Sequence, residues 1–92
     1  MAQVVVTLRI MPKSPDADLN GLEKKAKESI VEFCNSREFK TEIQPIAFGL
    51  KALVIFFVMD EGIGSTEALE QKINQLEGVE SVEVTDVRRA VG

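Results

Sequence analysis

The eight consecutive apolar residues at positions 52–59 constrain the fold of this chain more than any other feature. Lys51 precedes this run, and Asp60 and Glu61 follow it. A membrane-spanning helix needs about 20 apolar residues, so the run is far too short to cross a bilayer. A short, continuous apolar run is typical of a strand in the interior of a sheet. We therefore predict a buried strand over residues 50–59.

Other apolar patterns predict five more elements around that strand. Period-two and β-branched patterns indicate strands, whereas spacing of three and four residues indicates helices. In chain order, we predict a strand at 4–11, a helix ending near Asn35, an edge strand at 39–48, the buried strand, a helix capped by Ser65 or Thr66 and ended by Gly78, and a strand at 79–87.

This order of elements predicts an α+β fold. Two β-α-β units joined by a hairpin form the ferredoxin-like split-βαβ sandwich (βαββαβ), a four-stranded antiparallel sheet with two helices on one face. Its first and third strands are central, and they are the most apolar strands here. The edge strands carry polar residues and Pro45, as edges should. A length of 92 residues leaves room for one core, so we predict a single domain over 1–92.

The composition argues against catalytic and metal chemistry. The chain has no histidine and one cysteine, Cys34, so metal sites built from nitrogen and sulfur ligands are excluded. The usual base partner of a serine or threonine nucleophile is also missing. Cys34 lies on the apolar face of the first predicted helix and is expected to be a buried structural thiol. We predict no enzyme activity, no metal and no cofactor.

The net charge and the N-terminal sequence indicate which partners and which cellular location to expect. The net charge of −4 makes direct nucleic-acid binding a poor expectation, since phosphate contacts need clustered basic residues. The chain lacks the basic start of a signal peptide and any membrane-spanning run, so we expect a cytoplasmic protein without membrane contact.

Two features are candidates for binding a partner. Phe48 directly precedes Gly49 at a predicted turn, where it either closes the core at a strand end or contacts another molecule. Arg88 and Arg89 follow Asp86 with no further acid, which makes the end of the chain basic. In the predicted topology the third and fourth strands run in the same direction, so the turn and the two arginines lie at opposite ends of the sheet.

Five short motifs occur in an order and spacing that resemble a known family. They are PIAFGLK at 45–51, VMDE at 58–61, GSTE at 64–67, LEQKI at 69–73 and VESVEV at 79–84. Together with the opening strand-to-helix segment, they resemble the archaeal translation elongation factor 1-beta family and the C-terminal exchange domain of the eukaryotic factor. The resemblance covers essentially the whole chain.

The resemblance implies a guanine-nucleotide exchange factor for elongation factor 1-alpha, the GTPase that delivers aminoacyl-tRNA. It implies that Phe48, with Gly49 and Lys51 of the same motif, contacts the GTPase. A basic residue near the C-terminus of family members reaches the Mg²⁺ and phosphate region, a role that falls on Arg89 here, alone or with Arg88. The family usually has Lys at that position. The two residues are not equivalent, because the arginine guanidinium is planar and spreads its charge over several N–H donors, whereas the lysine ammonium is compact.

Two other classes share the predicted order of elements. A ligand-binding regulatory domain of the ACT type would dimerise through a strand edge, which Pro45 makes less inviting, whereas we expect this chain to be a monomer when free. An RNA-binding domain of the RRM type needs aromatics on the exposed face of the central strands. Because Phe56 and Phe57 are adjacent, they point to opposite faces of their strand, and only one of them can be presented.

Overall fold

A computed structural model describes the protein over residues 2–36 and 38–89. Its elements are β1 (Gln3–Pro12), α1 (Leu19–Cys34), β2 (Phe39–Pro45), β3 (Lys51–Asp60), a 3₁₀ turn (Glu61–Ile63), α2 (Glu67–Asn74) and β4 (Val79–Arg89). The six predicted strands and helices are all present in the predicted order. The fourth strand is two residues longer than predicted, so that Arg88 and Arg89 belong to it instead of following it.

The sheet confirms the predicted topology. Its strand order is β2-β3-β1-β4, and all three neighbouring pairs are antiparallel. The two central strands align Val6 with Phe57, and β4 aligns Val87 with the same position of β1. A register shift between Thr7 and Leu8 leaves Thr85 as an extra residue in β4. Edge strands β2 and β4 are the ones with the more exposed side chains.

The core lies between one face of the sheet and the two helices. Alternate residues of the central strands point toward the helices, as the two-residue period of a strand requires. Phe57 is 1% exposed, while the adjacent Phe56 is half-buried on the opposite face. The core is made of Val4, Val6, Leu8 and Ile10 of β1, Leu53, Ile55, Phe57 and Met59 of β3, Leu22, Ala26 and Ile30 of α1, Leu69 and Ile73 of α2, and Val79 of β4.

Local hydrogen bonds explain where the helices begin and end. The Asp18 carboxylate accepts a bond from the Gly21 N–H at 3.1 Å, which satisfies a free donor at the start of α1. The helix ends at Asn35, as predicted, and this residue has a left-handed backbone. The prediction that Gly78 ends α2 is wrong, because short-range backbone bonds to Lys72 and Ile73 already close the helix near residue 75. Gly78, at φ 88°, directs the chain into β4 instead.

The sheet has two chemically different ends. The first, which we call the hairpin end, comprises residues 45–51 and the adjoining loop residues 13–18. The second, which we call the arginine end, comprises Glu61, Arg88 and Arg89 with the start of β1. A strand rises roughly 3.3 Å per residue, so the ten residues of β3 separate these ends by about 30 Å. The longest dimension of the molecule is 42 Å.

Candidate functional site

The hairpin end is organised by a tight turn with an unusual backbone. The Leu50 N–H donates to the Ala47 carbonyl at 3.1 Å, and the Ile46 N–H donates to the Leu50 carbonyl at 2.8 Å. The two residues between them, Phe48 and Gly49, both have positive φ, at 59° and 79°. Positive φ at both central residues is the pattern of a type I′ turn, which matches the twist of a hairpin and favours Asn or Gly.

Phe48 is therefore unfavourable at its position in two ways. Its side chain is 95% exposed, so a large apolar ring faces water. Its backbone lies in the left-handed region, which costs roughly 1–2 kcal/mol for a residue with a Cβ. The possibility that Phe48 closes the core is wrong, because the ring projects from the molecule. A strained and exposed aromatic residue supports the prediction that this tip binds another molecule.

The turn at Phe48 lies beside the loop that follows β1. A Cβ added at Gly49 would meet the Pro15 Cβ at 3.9 Å, so the loop after β1 lies beside the hairpin. That loop is itself tied down, because the Lys13 N–H donates to the Gly78 carbonyl at 2.9 Å. Lys51 is exposed at the first position of β3, opposite Pro45. The predicted residues Phe48, Gly49 and Lys51 thus lie together at the hairpin end, beside the loop that follows β1.

At the arginine end, both predicted arginines are paired with carboxylates. Arg88 Nε lies 2.7 Å from Asp86 Oδ2, two residues earlier on the same face of β4. Arg89 contacts both carboxylate oxygens of Glu61, with Nε at 3.1 Å and Nη2 at 3.3 Å. Both guanidinium groups remain largely exposed. The two predicted clusters are not brought together: they lie at opposite ends of the sheet, as the strand directions predicted.

Glu61 was not predicted as a site residue, although it follows the apolar run and belongs to the VMDE motif at 58–61. The signal that could have found it is topological. Because β3 and β4 run in the same direction, an acid just after β3 and a base at the end of β4 fall at the same end of the sheet. The Glu61 N–H also donates to the Ala2 carbonyl at 3.0 Å, which joins this turn to the start of β1.

The sheet face turned away from the helices, which we call the open face, does not resemble an RNA platform. Its one large aromatic is Phe56, and Lys40 Nζ lies 5.8 Å from that ring centroid. Among the described residues, three basic and four acidic side chains share the face, so it offers no net positive field for phosphates. By register they are Arg9, Lys40 and Arg88 against Glu42, Asp60, Glu83 and Asp86.

The described residues contain no grouping of three potential metal-ligating side chains. Cys34 is only partly buried, and its thiol donates to the Ile30 carbonyl at 3.3 Å. Desolvation raises the pKa of this thiol, and a backbone hydrogen bond from Ser36 opposes the shift. Neither described helix is long and apolar enough to span a membrane.

The fold and its ends describe a ferredoxin-like domain with an exposed apolar tip at one end of the sheet and two carboxylate-paired arginines at the other. Comparison with known proteins identifies the family. A model of the EF-1 guanine nucleotide exchange domain matches residues 5–90. The chain therefore belongs to the EF-1 guanine nucleotide exchange domain family.

Individual relatives agree with this assignment over nearly their whole length. The chain is 46% identical to elongation factor 1-beta of Methanothermobacter thermautotrophicus, over 97% of this chain and 98% of that protein. It is 39% identical to elongation factor 1-beta of Halorubrum lacusprofundi, over 97% and 99%. Among solved structures, the de novo designed protein Foldit4 aligns with a TM-score of 0.61 at 23% identity, over 98% of both chains, and this likeness concerns the fold alone.

Proposed function

We propose that this protein promotes the release of GDP from elongation factor 1-alpha and so allows the GTPase to reload with GTP. The observation that carries the proposal is the match of the exchange-domain model to residues 5–90. The hairpin end adds independent physical support, because a strained, 95% exposed Phe48 has no role in the packing of this chain.

The mechanism requires no covalent step. GDP is held in a GTPase by Mg²⁺, by backbone amides and by a lysine of the phosphate loop. An exchange protein binds the nucleotide-free GTPase more tightly than the GDP-bound GTPase. Because the coupling is reciprocal, it lowers the affinity of the GTPase for GDP by the ratio of these two binding affinities. We therefore expect the protein to act by binding and not as an enzyme in the sense of making or breaking bonds.

The two ends of the sheet would then have different roles. Burial of the Phe48 ring in an apolar recess of the GTPase would give about 1.5–3 kcal/mol, with Gly49 shaping the turn and Lys51 beside it. At the other end, the Arg89 guanidinium near the nucleotide site would disfavour Mg²⁺ by like-charge repulsion. Arg88, on the opposite face of the same strand, is the second candidate for this role. Residues 90–92 lie outside the described residues.

Three further expectations belong to this proposal. A cytoplasmic location follows from a role in translation elongation. A free monomer is expected, because Pro45 removes a backbone donor from edge strand β2. No direct contact with nucleic acid is expected, because the open face has no excess of basic residues and carries a single half-buried aromatic, Phe56.

The proposal is tested by fluorescent-GDP release from the elongation factor 1-alpha of the same organism. Release should accelerate with increasing concentration of this protein and approach a plateau. Release at the spontaneous rate in the presence of a stoichiometric amount would refute the proposal. Sedimentation of the free protein and a salt-dependent RNA shift assay distinguish the two other classes, since an ACT-type domain would dimerise and an RRM-type domain would bind RNA.

A further inference from the structure

The contact between Arg89 and Glu61 is the most specific interaction at the arginine end. Two nitrogens of the guanidinium meet two oxygens of the carboxylate, at 3.1 and 3.3 Å. A two-point contact of this kind is more directional than a single ion pair. It also connects residues 28 positions apart in the chain, so it is not a by-product of local helix or strand geometry.

Both backbones that carry this pair are fixed by other contacts. Glu61 is the first residue of the 3₁₀ turn, and its N–H is bonded to Ala2. The Asp60 carboxylate accepts from the Gly62 N–H at 2.7 Å and holds the same turn. Arg89 lies in β4 opposite Val4. The fold therefore sets the backbone positions of both residues, and the term that opposes this exposed pair is the side-chain entropy lost when both side chains are held in one geometry.

Pairing with Glu61 changes what Arg89 can do to a neighbouring molecule. A guanidinium in contact with a carboxylate has nearly zero net charge at a distance, so its repulsion of a cation is largely cancelled. The carboxylate itself would attract Mg²⁺. An Arg89 that acts on the Mg²⁺ and phosphate region of a GTPase must therefore first separate from Glu61.

We propose that Glu61 is a latch residue that holds Arg89 in the free protein and must release it when the GTPase complex forms. The inference rests on the proposed exchange function and assigns a residue that controls it. Release of the latch opposes complex formation, so removal of the carboxylate should make exchange faster. Glu61 acts through Arg89 and is a positioning residue in this sense.

The test compares Glu61→Gln and Glu61→Ala with the matched control Glu80→Gln. Glu80 is an exposed acid of the same strand β4, it forms no ion pair with the described residues, and its substitution changes the net charge equally. At about 50 mM salt and subsaturating protein, both Glu61 variants should accelerate fluorescent-GDP release about two- to fivefold relative to wild type. At about 0.5 M salt, where exposed pairs are screened, the difference should disappear.

A second readout needs no partner. The Nε–H signal of Arg89 in the NMR spectrum of the free protein should exchange with water faster in Glu61→Ala than in wild type or Glu80→Gln. Equal exchange in all three proteins, or Glu61 variants that release GDP at or below the wild-type rate, would overturn the latch while wild-type activity remained. A wild-type protein that does not accelerate release would instead overturn the proposed function, and the latch with it.

Discussion

Substitution of Phe48 by asparagine should improve the fold and impair the function. Asn-Gly is a favoured pair in type I′ turns because asparagine tolerates the left-handed region. Relief of a strain of roughly 1–2 kcal/mol should stabilise the protein by about 1 kcal/mol. For a domain of this size, that corresponds to a rise in Tm of about 4–8 °C. The ring is 95% exposed, so its loss removes almost no packing from the free protein.

The same substitution should slow exchange strongly. If the ring is buried by the GTPase, its loss forfeits about 1.5–3 kcal/mol of binding, which is about 10- to 150-fold in the second-order rate of GDP release. Urea denaturation and fluorescent-GDP release measure the two effects on one preparation. The control is Val31→Asn, which removes an exposed apolar residue from α1, away from the hairpin end. Loss of stability in Phe48→Asn, or exchange equal to wild type, would refute the reasoning.

Three other substitutions or reactions test separate parts of the account. Arg89→Ala should reduce exchange less at low Mg²⁺ than at high Mg²⁺, because a group that competes with the metal matters most when the metal is abundant; equal loss at both would point to docking. The Thr41 hydroxyl oxygen is buried without a hydrogen-bond partner among the described residues, so Thr41→Val should raise the free energy of unfolding by about 1 kcal/mol or more, and a decrease would reveal an unseen partner. Since burial raises the pKa of the Cys34 thiol, native protein at pH 8 should react with a disulfide reagent more slowly than urea-unfolded protein, and the gap should narrow as the pH rises through the folded pKa; equal rates at pH 8 would contradict it.

The topology could be predicted because β3 is apolar on both faces over residues 52–59, which marks it as a central strand. Ala52 and Val54 lie on the open face, yet they are 0% and 8% exposed. By register Val54 lies between Arg9 and Glu42, and Gln44 lies beside Ala52; only an interior position in a sheet provides neighbours on both sides. An edge strand cannot be apolar in this way, and β2 with its Pro45 is not. The apolar pattern therefore indicates which strands are central, and this is enough to predict the order of strands in the sheet.

The site could be predicted only in part, for two physical reasons. Gly49 indicates a turn, but nothing in the sequence indicates that Phe48 before it also has positive φ, since that conformation is unfavourable for phenylalanine. Side-chain pairing is also invisible to periodicity: the Glu61–Arg89 contact depends on β3 and β4 ending at the same level on either side of β1. The turn at Phe48 arises where the fold overrides a local backbone preference. The Glu61–Arg89 contact arises where two segments distant in the chain meet.

The stiffness of the sheet gives the spacing between its two ends a functional meaning. A hydrogen-bonded four-stranded sheet holds the hairpin end and the arginine end about 30 Å apart, and the packed core leaves little freedom to change that distance. A GTPase can engage both ends at once only in a conformation whose two contact points match the spacing. If that conformation is the nucleotide-free one, each contact adds to the preference for the empty state, and GDP affinity falls by the combined factor. The Glu61–Arg89 pair would then weaken only the contribution of the arginine end to this preference. Its removal should accelerate GDP release without changing the effect of substitutions at Phe48.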